Sequence, residues 1–259
     1  AIVPRAALRE NDRVWVVAFR PDDGSVVYYI YRREPGRAEL LCRSRPELEK
    51  VELSRMHPVE IEASDGMSLV AYYTLPPILD SPEGGPPDSP LPMVLYVHGG
   101  PWARDRWGYH PMHQWLANRG YCVLSVNFRG STGLGKEYIN AGNGPSAADM
   151  HRDLLDAVQW AAENGFADRE RVAIMGGSYG GYATLVGLTF TPGAFACGVD
   201  IVGPSNLVTL LQNVPPYWMP MMPMMEHRVG ALPDTEEGRR YLMERSPITR
   251  VDRIVRPLL

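Results

Sequence analysis

The chain has 259 residues, of which 45% are apolar and 22% are charged, both close to the averages of globular proteins. This composition excludes a disordered, collagenous or disulfide-rich chain, and the length allows one or two domains. The net charge is −4, from 26 basic and 30 acidic residues. No polybasic block is present, which argues against a dedicated surface for nucleic acid or anionic membrane.

Neither a metal nor a nucleotide cofactor is indicated. Three cysteines, Cys42, Cys122 and Cys197, lack the CxxC spacing of a zinc site and form no disulfide framework. HExxH, Walker A and EF-hand patterns are absent from the sequence. The first residues contain no signal-peptide region, and the apolar runs are far shorter than the roughly 20 residues that cross a bilayer. We therefore expect a cytoplasmic protein with no membrane or nucleic-acid partner.

The first 57 residues carry a pattern of short strands and tight turns. Apolar runs at 14–20, 26–32 and 38–42 alternate with the turn sequences Pro-Asp-Asp-Gly and Glu-Pro-Gly-Arg, which predicts three strands joined as hairpins. A meander of this size is marginally stable alone and exposes its edges. We therefore interpret residues 1–57 as part of a larger all-β unit, such as the end of a β-propeller.

After residue 65, predicted strands alternate with predicted helices. The predicted strands lie at 67–75, 93–97, 121–126 and 172–175, and the last three are continuous apolar runs, typical of strands buried on both faces. Residues 76–92 hold seven prolines and predict a surface loop. Alternating strands and helices indicate an α/β fold with a mostly parallel sheet covered on both faces.

A strong helix is predicted over residues 146–164. Ser146 and Asp149 have capping-box spacing, with the shorter aspartate in the place of glutamate. Apolar side chains then recur on one helix face. Gly165 stands where a left-handed residue ends many helices.

The sharpest motif is Gly176-Gly177-Ser178-Tyr179-Gly180, which lies between a predicted strand and a predicted helix. This Gly-x-Ser-x-Gly pattern in that setting is typical of a nucleophile elbow. The serine stands on a strained turn, so glycines two residues before and after it remove Cβ atoms that would clash. Ser178 is therefore the predicted nucleophile, and a glycine-rich turn without chemistry is the alternative.

A second motif, His98-Gly99-Gly100-Pro101-Trp102, follows an early buried strand. In α/β-hydrolases this position supplies one backbone donor of the oxyanion hole, and the residue after the nucleophile supplies the other. Gly100 and Tyr179 are the predicted donors. His98 precedes the serine, whereas the general base of this fold follows it, so we interpret His98 as a residue that shapes the hole.

Three stretches resemble the prolyl oligopeptidase family, and most of all its acylaminoacyl-peptidase and dipeptidyl-peptidase-like branch. They are LYVHGGPWARD at 95–105, QWLANRGYCVLSVNFRGSTGLGK at 114–136 and RVAIMGGSYGGY at 171–182. The resemblance covers residues 58–259 and implies an α/β-hydrolase peptidase domain there. It implies that residues 1–57 are the terminal strands of a β-propeller. It also implies that Ser178 is the nucleophile and that Gly100 and Tyr179 form the oxyanion hole.

The resemblance places the catalytic Asp and His of the family beyond Leu259, so we expect a hydrolase domain that is incomplete at its C-terminus. Residues 256–259 read as the opening of a sheet strand. Asp200 and His227 follow Ser178 in the required order, but the family has no catalytic residue at these places. Some relatives carry a tyrosine hydroxyl at the place of His98, which leaves the second oxyanion donor less secure than the first.

Residues 214–225 hold five of the twelve methionines, and methionine adapts its shape to a ligand. The family builds part of its specificity pocket from the segment after the preceding strand, so Tyr217 and Trp218 are candidate pocket residues. Packing of a lid or core explains the same residues equally well.

The sequence thus predicts a serine peptidase that hydrolyses short peptides through an acyl-enzyme, of the acylaminoacyl or dipeptidyl/oligopeptidase type. Small peptides are the expected partners, and the family also allows a homo-oligomer. Two alternatives stay open at this point: a carboxylesterase of the same fold, and a non-catalytic scaffold that binds peptides.

Overall fold

A computed structural model describes residues 2–7, 12–144 and 147–259. The chain begins with an antiparallel sheet of four strands in sequence order, called the first sheet. The strands are β1 (Ile2–Ala7), β2 (Val14–Phe19), β3 (Val27–Arg32) and β4 (Arg37–Arg43). The last three lie where the hairpin pattern predicts them, whereas β1 was not predicted. Four antiparallel strands in sequence order are the form of one propeller blade.

A second, mixed sheet holds the remaining six strands in the order β10-β9-β7-β8-β6-β5. They are β5 (His57–Glu62), β6 (Ser68–Thr74), β7 (Leu91–Val97), β8 (Cys122–Val126), β9 (Ala167–Gly177) and β10 (Cys197–Ile201). Strands β7 to β10 pair in parallel, and β5 and β6 join them antiparallel. The parallel strands confirm the predicted α/β class. The predicted boundary at 57/58 falls at the start of β5, a strand that the sequence pattern did not predict.

Seven α-helices are found in the described part of the chain. They are α1 (Pro111–Ala117), α2 (Lys136–Asn140), α3 (Ala147–Glu163), α4 (Tyr179–Thr189), α5 (Leu207–Gln212), α6 (Met222–Val229) and α7 (Glu236–Glu244). Buried side chains of α3 and α4, such as Leu154 and Leu188, pack on one face of the mixed sheet. Leu116 of α1 packs on the other face, so both faces are covered as predicted.

Helix α3 is the helix predicted over 146–164. Its proposed capping serine, Ser146, lies outside the described residues. Asp149 binds Arg152 at 2.9 Å. Gly165 has φ of 79°, the left-handed conformation that was predicted to end the helix.

Residues 207–245, called the helical segment, form a separate small core. Leu211, Met225 and Leu242 are its buried centre. The sequence pattern did not predict these helices, because prolines interrupt the apolar period at α6 and because α5 and α7 are only six and nine residues long. Within the described ranges, no helix is both long and apolar enough to cross a membrane.

The connection between the two sheets is held by side chains rather than by strand pairing. Its backbone N–H groups at Ser54, Arg55 and Met56 donate to side-chain oxygens of Gln114, Asp80 and Asp22, at 3.0, 2.9 and 2.7 Å. The carbonyl groups of Ser54 and Met56 accept from Gln114 Nε2 and Trp107 Nε1, at 2.8 and 2.7 Å. The turn after β2, helix α1 and two loops beside the mixed sheet therefore fix residues 54–56.

The last residues pair with the edge of the mixed sheet. Leu258 forms a parallel bridge with Gly198, and the N–H of Asp200 donates to the carbonyl of Leu259 at 2.8 Å. The strand-like character predicted for residues 256–259 is confirmed by this pairing with β10.

Candidate active site

Ser178 stands at the corner between β9 and α4. Its backbone has φ of 57° and ψ of −116°, a region that costs free energy for any residue with a Cβ atom. The N–H of Ser178 donates to the carbonyl of Ile201 at 2.9 Å, which fixes the corner against the end of β10. The residue is exposed. The strained corner therefore presents the hydroxyl-bearing residue at the surface of the described structure.

Two glycines make this corner sterically possible. A Cβ atom on Gly176 would lie 2.7 Å from Gly180 Cα, and one on Gly180 would overlap the carbonyl of Val97. The end of β7 therefore approaches the backbone on both sides of the serine. This close approach agrees with the steric reason for the Gly-x-Ser-x-Gly spacing.

Residues 98–105, called the oxyanion loop after their predicted role, approach Ser178 through Gly99. A Cβ atom on Gly99 would lie 3.4 Å from Ser178 Cβ and 3.1 Å from the carbonyl oxygen of Gly177. Gly100 has φ of 133°, a conformation that favours glycine. In the described structure, neither the N–H of Gly100 nor that of Tyr179 has a hydrogen-bond partner. Two backbone donors without partners are thus available, one in this loop and one directly after Ser178, as a predicted oxyanion hole would need.

His98 is buried and is occupied on both sides of its ring. Nδ1 lies 2.8 Å from the carbonyl oxygen of Gly99, and Nε2 lies 3.1 Å from Ser131 Oγ. The ring stacks on Phe128 at 4.5 Å between centroids, and burial lowers the pKa of His98. Both ring nitrogens therefore have hydrogen-bond partners other than Ser178. This arrangement fits the interpretation of His98 as a residue that shapes the loop.

The side chain of Tyr179 is fixed beneath the corner. Its hydroxyl donates to Met150 Sδ at 3.0 Å, and its ring lies between Phe128 and Tyr182, 5.5 and 5.6 Å away. Burial raises the pKa of Tyr179 well above its ordinary value. Met150 comes from α3, and no sequence signal pointed to this contact.

A buried ion pair supports the loop beside His98. Arg129 Nη2 lies 2.6 Å from Asp153 Oδ1, and the Arg129 N–H donates to Asp153 Oδ2 at 2.8 Å. Asp65 adds a second carboxylate at 2.8 Å. Hydrogen bonding to Asp153 raises the pKa of Arg129. The pair ties the loop after β8 to α3.

Asp105 closes the oxyanion loop. Its N–H donates to Asn127 Oδ1 at 2.8 Å, and its own Oδ2 is buried without a partner in the part of the chain described. Burial raises the pKa of Asp105 to about 7, against the lowering effect of Arg104.

The two candidate pocket residues, Tyr217 and Trp218, lie in different surroundings. Trp218 is half-buried in the core of the helical segment, where Trp102 of the oxyanion loop also packs. Tyr217 is 76% exposed and lies outside that core. Their role as pocket residues stays a prediction, but only Trp218 shares a cluster with the oxyanion loop.

Asp200 and His227 are engaged elsewhere. Asp200 Oδ1 accepts from the N–H of Gly203 at 2.7 Å, and His227 Nε2 lies 3.4 Å from Asn143 Nδ2. No hydrogen bond joins either side chain to Ser178 over the ranges that the structure covers. The same ranges contain no group of three His, Cys, Asp or Glu side chains that could hold a metal ion.

The mixed sheet, the strained corner and the oxyanion loop together define a protein of the α/β-hydrolase fold class. The family model described as "Prolyl oligopeptidase family" matches residues 107–259, which is more than half of the chain. The chain therefore belongs to the prolyl oligopeptidase family, as its motifs indicated.

Named relatives agree with this assignment. The chain is 57% identical over 249 residues to dipeptidyl aminopeptidase BIII of Pseudoxanthomonas mexicana, covering 96% of this chain and 36% of that protein. It is 49% identical to dipeptidyl peptidase family member 6 of Caenorhabditis elegans, covering 95% and 35%. A puromycin-hydrolyzing peptidase of Mycobacterium tuberculosis has a similar structure, with a TM-score of 0.78 and 29% identity, covering 95% and 36%. The chain thus spans little more than a third of these proteins.

Proposed function

We propose that this protein is a serine peptidase that hydrolyses short peptides through Ser178. The carrying observation is the exposed, strained serine at the start of α4, flanked by two backbone N–H groups without partners in the described structure. Its Oγ attacks the scissile carbonyl carbon and its proton passes to a general base. The tetrahedral intermediate then expels the amine, which takes that proton, and water hydrolyses the acyl-enzyme.

The two donors hold the negative oxygen of the tetrahedral intermediate. Gly100 and Tyr179 present rigid backbone N–H groups, because the left-handed glycine and the helix start fix their directions. Removing one donor of this kind costs about 3–4 kcal/mol of transition-state stabilisation. His98 holds the carbonyl of Gly99 and so restrains the peptide unit that carries the Gly100 N–H.

The proposed general base and its orienting carboxylate are a histidine and an aspartate that follow Leu259 in the full-length protein. His98 has both ring nitrogens engaged, and Asp200 and His227 make other hydrogen bonds. The family resemblance supports a later Asp and His, in the order that follows the nucleophile in this fold.

The proposed substrates are short peptides, cleaved in the acylaminoacyl or dipeptidyl manner. The names of the two relatives quoted above, from Pseudoxanthomonas mexicana and Caenorhabditis elegans, support the dipeptidyl type. Residues 1–57 serve as the terminal strands of a propeller-like domain that limits access to small, unfolded peptides. Tyr217 and Trp218 contribute to the substrate pocket. We place the protein in the cytoplasm, with a homo-oligomer as its proposed assembly.

A fluorophosphonate probe tests the proposal on the full-length protein. We expect covalent labelling on Ser178, located by mass spectrometry, and loss of labelling and peptide hydrolysis in Ser178→Ala. Ser89→Ala, a change at an exposed serine in the proline-rich loop, is the control and should behave as wild type. An unlabelled Ser178 together with full activity of Ser178→Ala would rule the proposal out.

Matched amide and ester substrates separate the remaining alternatives. Turnover of both fits the peptidase. Turnover of the ester alone would favour a carboxylesterase, and peptide binding without turnover of either substrate would favour a non-catalytic scaffold.

A further inference from the structure

A cationic side chain lies against the oxyanion loop. The guanidinium carbon of Arg228 is 5.0 Å from the ring centroid of Trp102, the second residue after Gly100. Arg228 belongs to the last turn of α6 and is half-buried. Trp102 itself packs into the core of the helical segment. A cation–π contact thus holds a positive charge beside the loop that carries an oxyanion donor.

This charge has no counter-ion in the part of the chain that the structure describes. Over those ranges, Arg228 takes part in no ion pair, and its Nη1 is buried without a hydrogen-bond partner. Trp102 Nε1 is buried without a partner in the same way. Buried donors are rarely left unpaired, because each costs roughly 1–3 kcal/mol, and more when it is charged. These two unpaired donors, on the two partners of one cation–π contact, therefore call for an acceptor that lies outside the described residues.

The chemistry of the two donors limits which chemical groups can serve as the acceptor. A guanidinium is always charged and presents parallel N–H groups that fit both oxygens of a carboxylate. The indole N–H adds a third donor and no acceptor. This donor-only set, with a net positive charge, suits a carboxylate better than an amide or an amine.

We propose that Arg228 is a specificity-determining residue that binds a carboxylate of the peptide substrate. This inference rests on the proposed peptidase function and adds a preference for acidic peptides to it. The carboxylate has two sources with the same chemistry, which are an acidic side chain next to the scissile bond and the C-terminal carboxylate of a short peptide.

Two matched substrate pairs distinguish the sources in the full-length protein. One pair carries Glu or Gln beside the scissile bond, and the other ends in a free carboxylate or in an amide. For wild type we expect kcat/KM to be at least 10-fold higher for the carboxylate member of one pair, which identifies the source. Arg228→Gln should abolish that ratio, by lowering kcat/KM for the carboxylate member more than for the neutral member. Arg228→Lys keeps the positive charge but lacks the parallel N–H groups of the guanidinium, so it should retain part of the ratio.

Arg245 supplies a matched control in the same segment. Its guanidinium also stacks on an aromatic ring, that of Tyr241 at 3.5 Å, and its Nε is buried without a partner among the described residues. Unlike Arg228, it donates through Nη1 to the Tyr241 carbonyl at 3.1 Å and lies 3.9 Å from Glu244. Arg245→Gln should therefore leave the carboxylate ratio as in wild type.

Fluorophosphonate labelling of Ser178 separates failure of this inference from failure of the proposed function. Absence of labelling in wild type would defeat the peptidase itself. A labelled Arg228→Gln protein with an unchanged ratio, or with equal losses on acidic and neutral members, would overturn the carboxylate site. If Arg228→Gln does not fold, Arg228→Lys provides the test. An unaltered ratio in that variant would equally refute binding of the carboxylate by the guanidinium.

Discussion

The first sheet and the mixed sheet differ most in how much of each strand is buried. Every residue of β8 in the mixed sheet is buried, whereas every residue of β4 in the first sheet is exposed. Both strands have regular hydrogen-bonded partners. Helices cover the mixed sheet on both faces, and no such layer covers β4 in the described structure. Strand pairing alone therefore makes a sheet, but a second layer is needed to make a core.

The largest expected difference in the free energy of unfolding is between a buried ion pair beside the mixed sheet and an exposed ion pair on the first sheet. Arg129→Met leaves Asp153, which is wholly buried, without its guanidinium, and we expect the free energy of unfolding of the 259-residue chain to fall by about 3–5 kcal/mol. Arg43→Met on β4 removes an exposed pair with Glu49 and should cost about 0–1 kcal/mol. Urea denaturation measures both values, and similar losses would contradict the contrast.

A pair of leucine truncations tests the apolar side of the comparison. Leu124 on β8 is 1% exposed and Leu40 on β4 is 55% exposed. Leu124→Ala should lower the free energy of unfolding by about 2–5 kcal/mol, since it removes buried methyl groups and leaves a cavity. Leu40→Ala should change it by no more than about 0.5 kcal/mol. A large loss at Leu40 in thermal or chemical denaturation would show that β4 is buried in solution.

The buried carboxyl of Asp105 should make stability depend on pH. Burial raises its pKa to about 7, so the folded protein keeps a proton that the unfolded chain releases near pH 4. The free energy of unfolding should therefore fall as pH rises from about 4 to 7, by about 2–4 kcal/mol. Asp105→Asn should remove this part of the slope in denaturation curves recorded from about pH 4 to 8. An identical slope in both proteins would contradict the assignment.

The smallest expected contrast compares two glycines. Gly180→Ala places a Cβ atom against the backbone of Val97 and should cost about 1–3 kcal/mol and slow fluorophosphonate labelling. Gly24→Ala, in the turn after β2, meets only Pro21 Cγ at 3.4 Å, an ordinary contact. Thermal melts and labelling rates of the full-length variants should therefore differ between the two, and equal labelling would argue against the crowding at Ser178.

The strands and helices that could be predicted from the sequence are those whose own pattern of apolar residues indicates their structure. Strands β7 and β8 and residues 172–175 of β9 are apolar runs typical of a sheet covered on both faces, and α3 shows a regular apolar face. The helices of residues 207–245 were not predicted, because Pro220 and Pro223 interrupt the pattern at α6 and because α5 and α7 are only six and nine residues long. Their structure depends on packing around Leu211 and Leu242.

The candidate site also combines features that the local sequence determines with features that depend on packing. The glycines around Ser178 are visible in the sequence because a local steric demand fixes their spacing. The contacts of Met150 with Tyr179 and of Asp153 with Arg129 join residues more than twenty positions apart. Nothing local marks such partners, so only the folded arrangement shows them.

The side-chain hydrogen bonds along residues 54–56 affect how easily a protease can cut the chain at this point. A protease must draw an extended stretch of backbone into its cleft, and cuts are made where a segment detaches easily. Three consecutive amides of this stretch are already bound by Gln114, Asp80 and Asp22. Residues 54–56 are for this reason a poor site for proteolytic cleavage, although they connect the largely exposed first sheet to the buried mixed sheet.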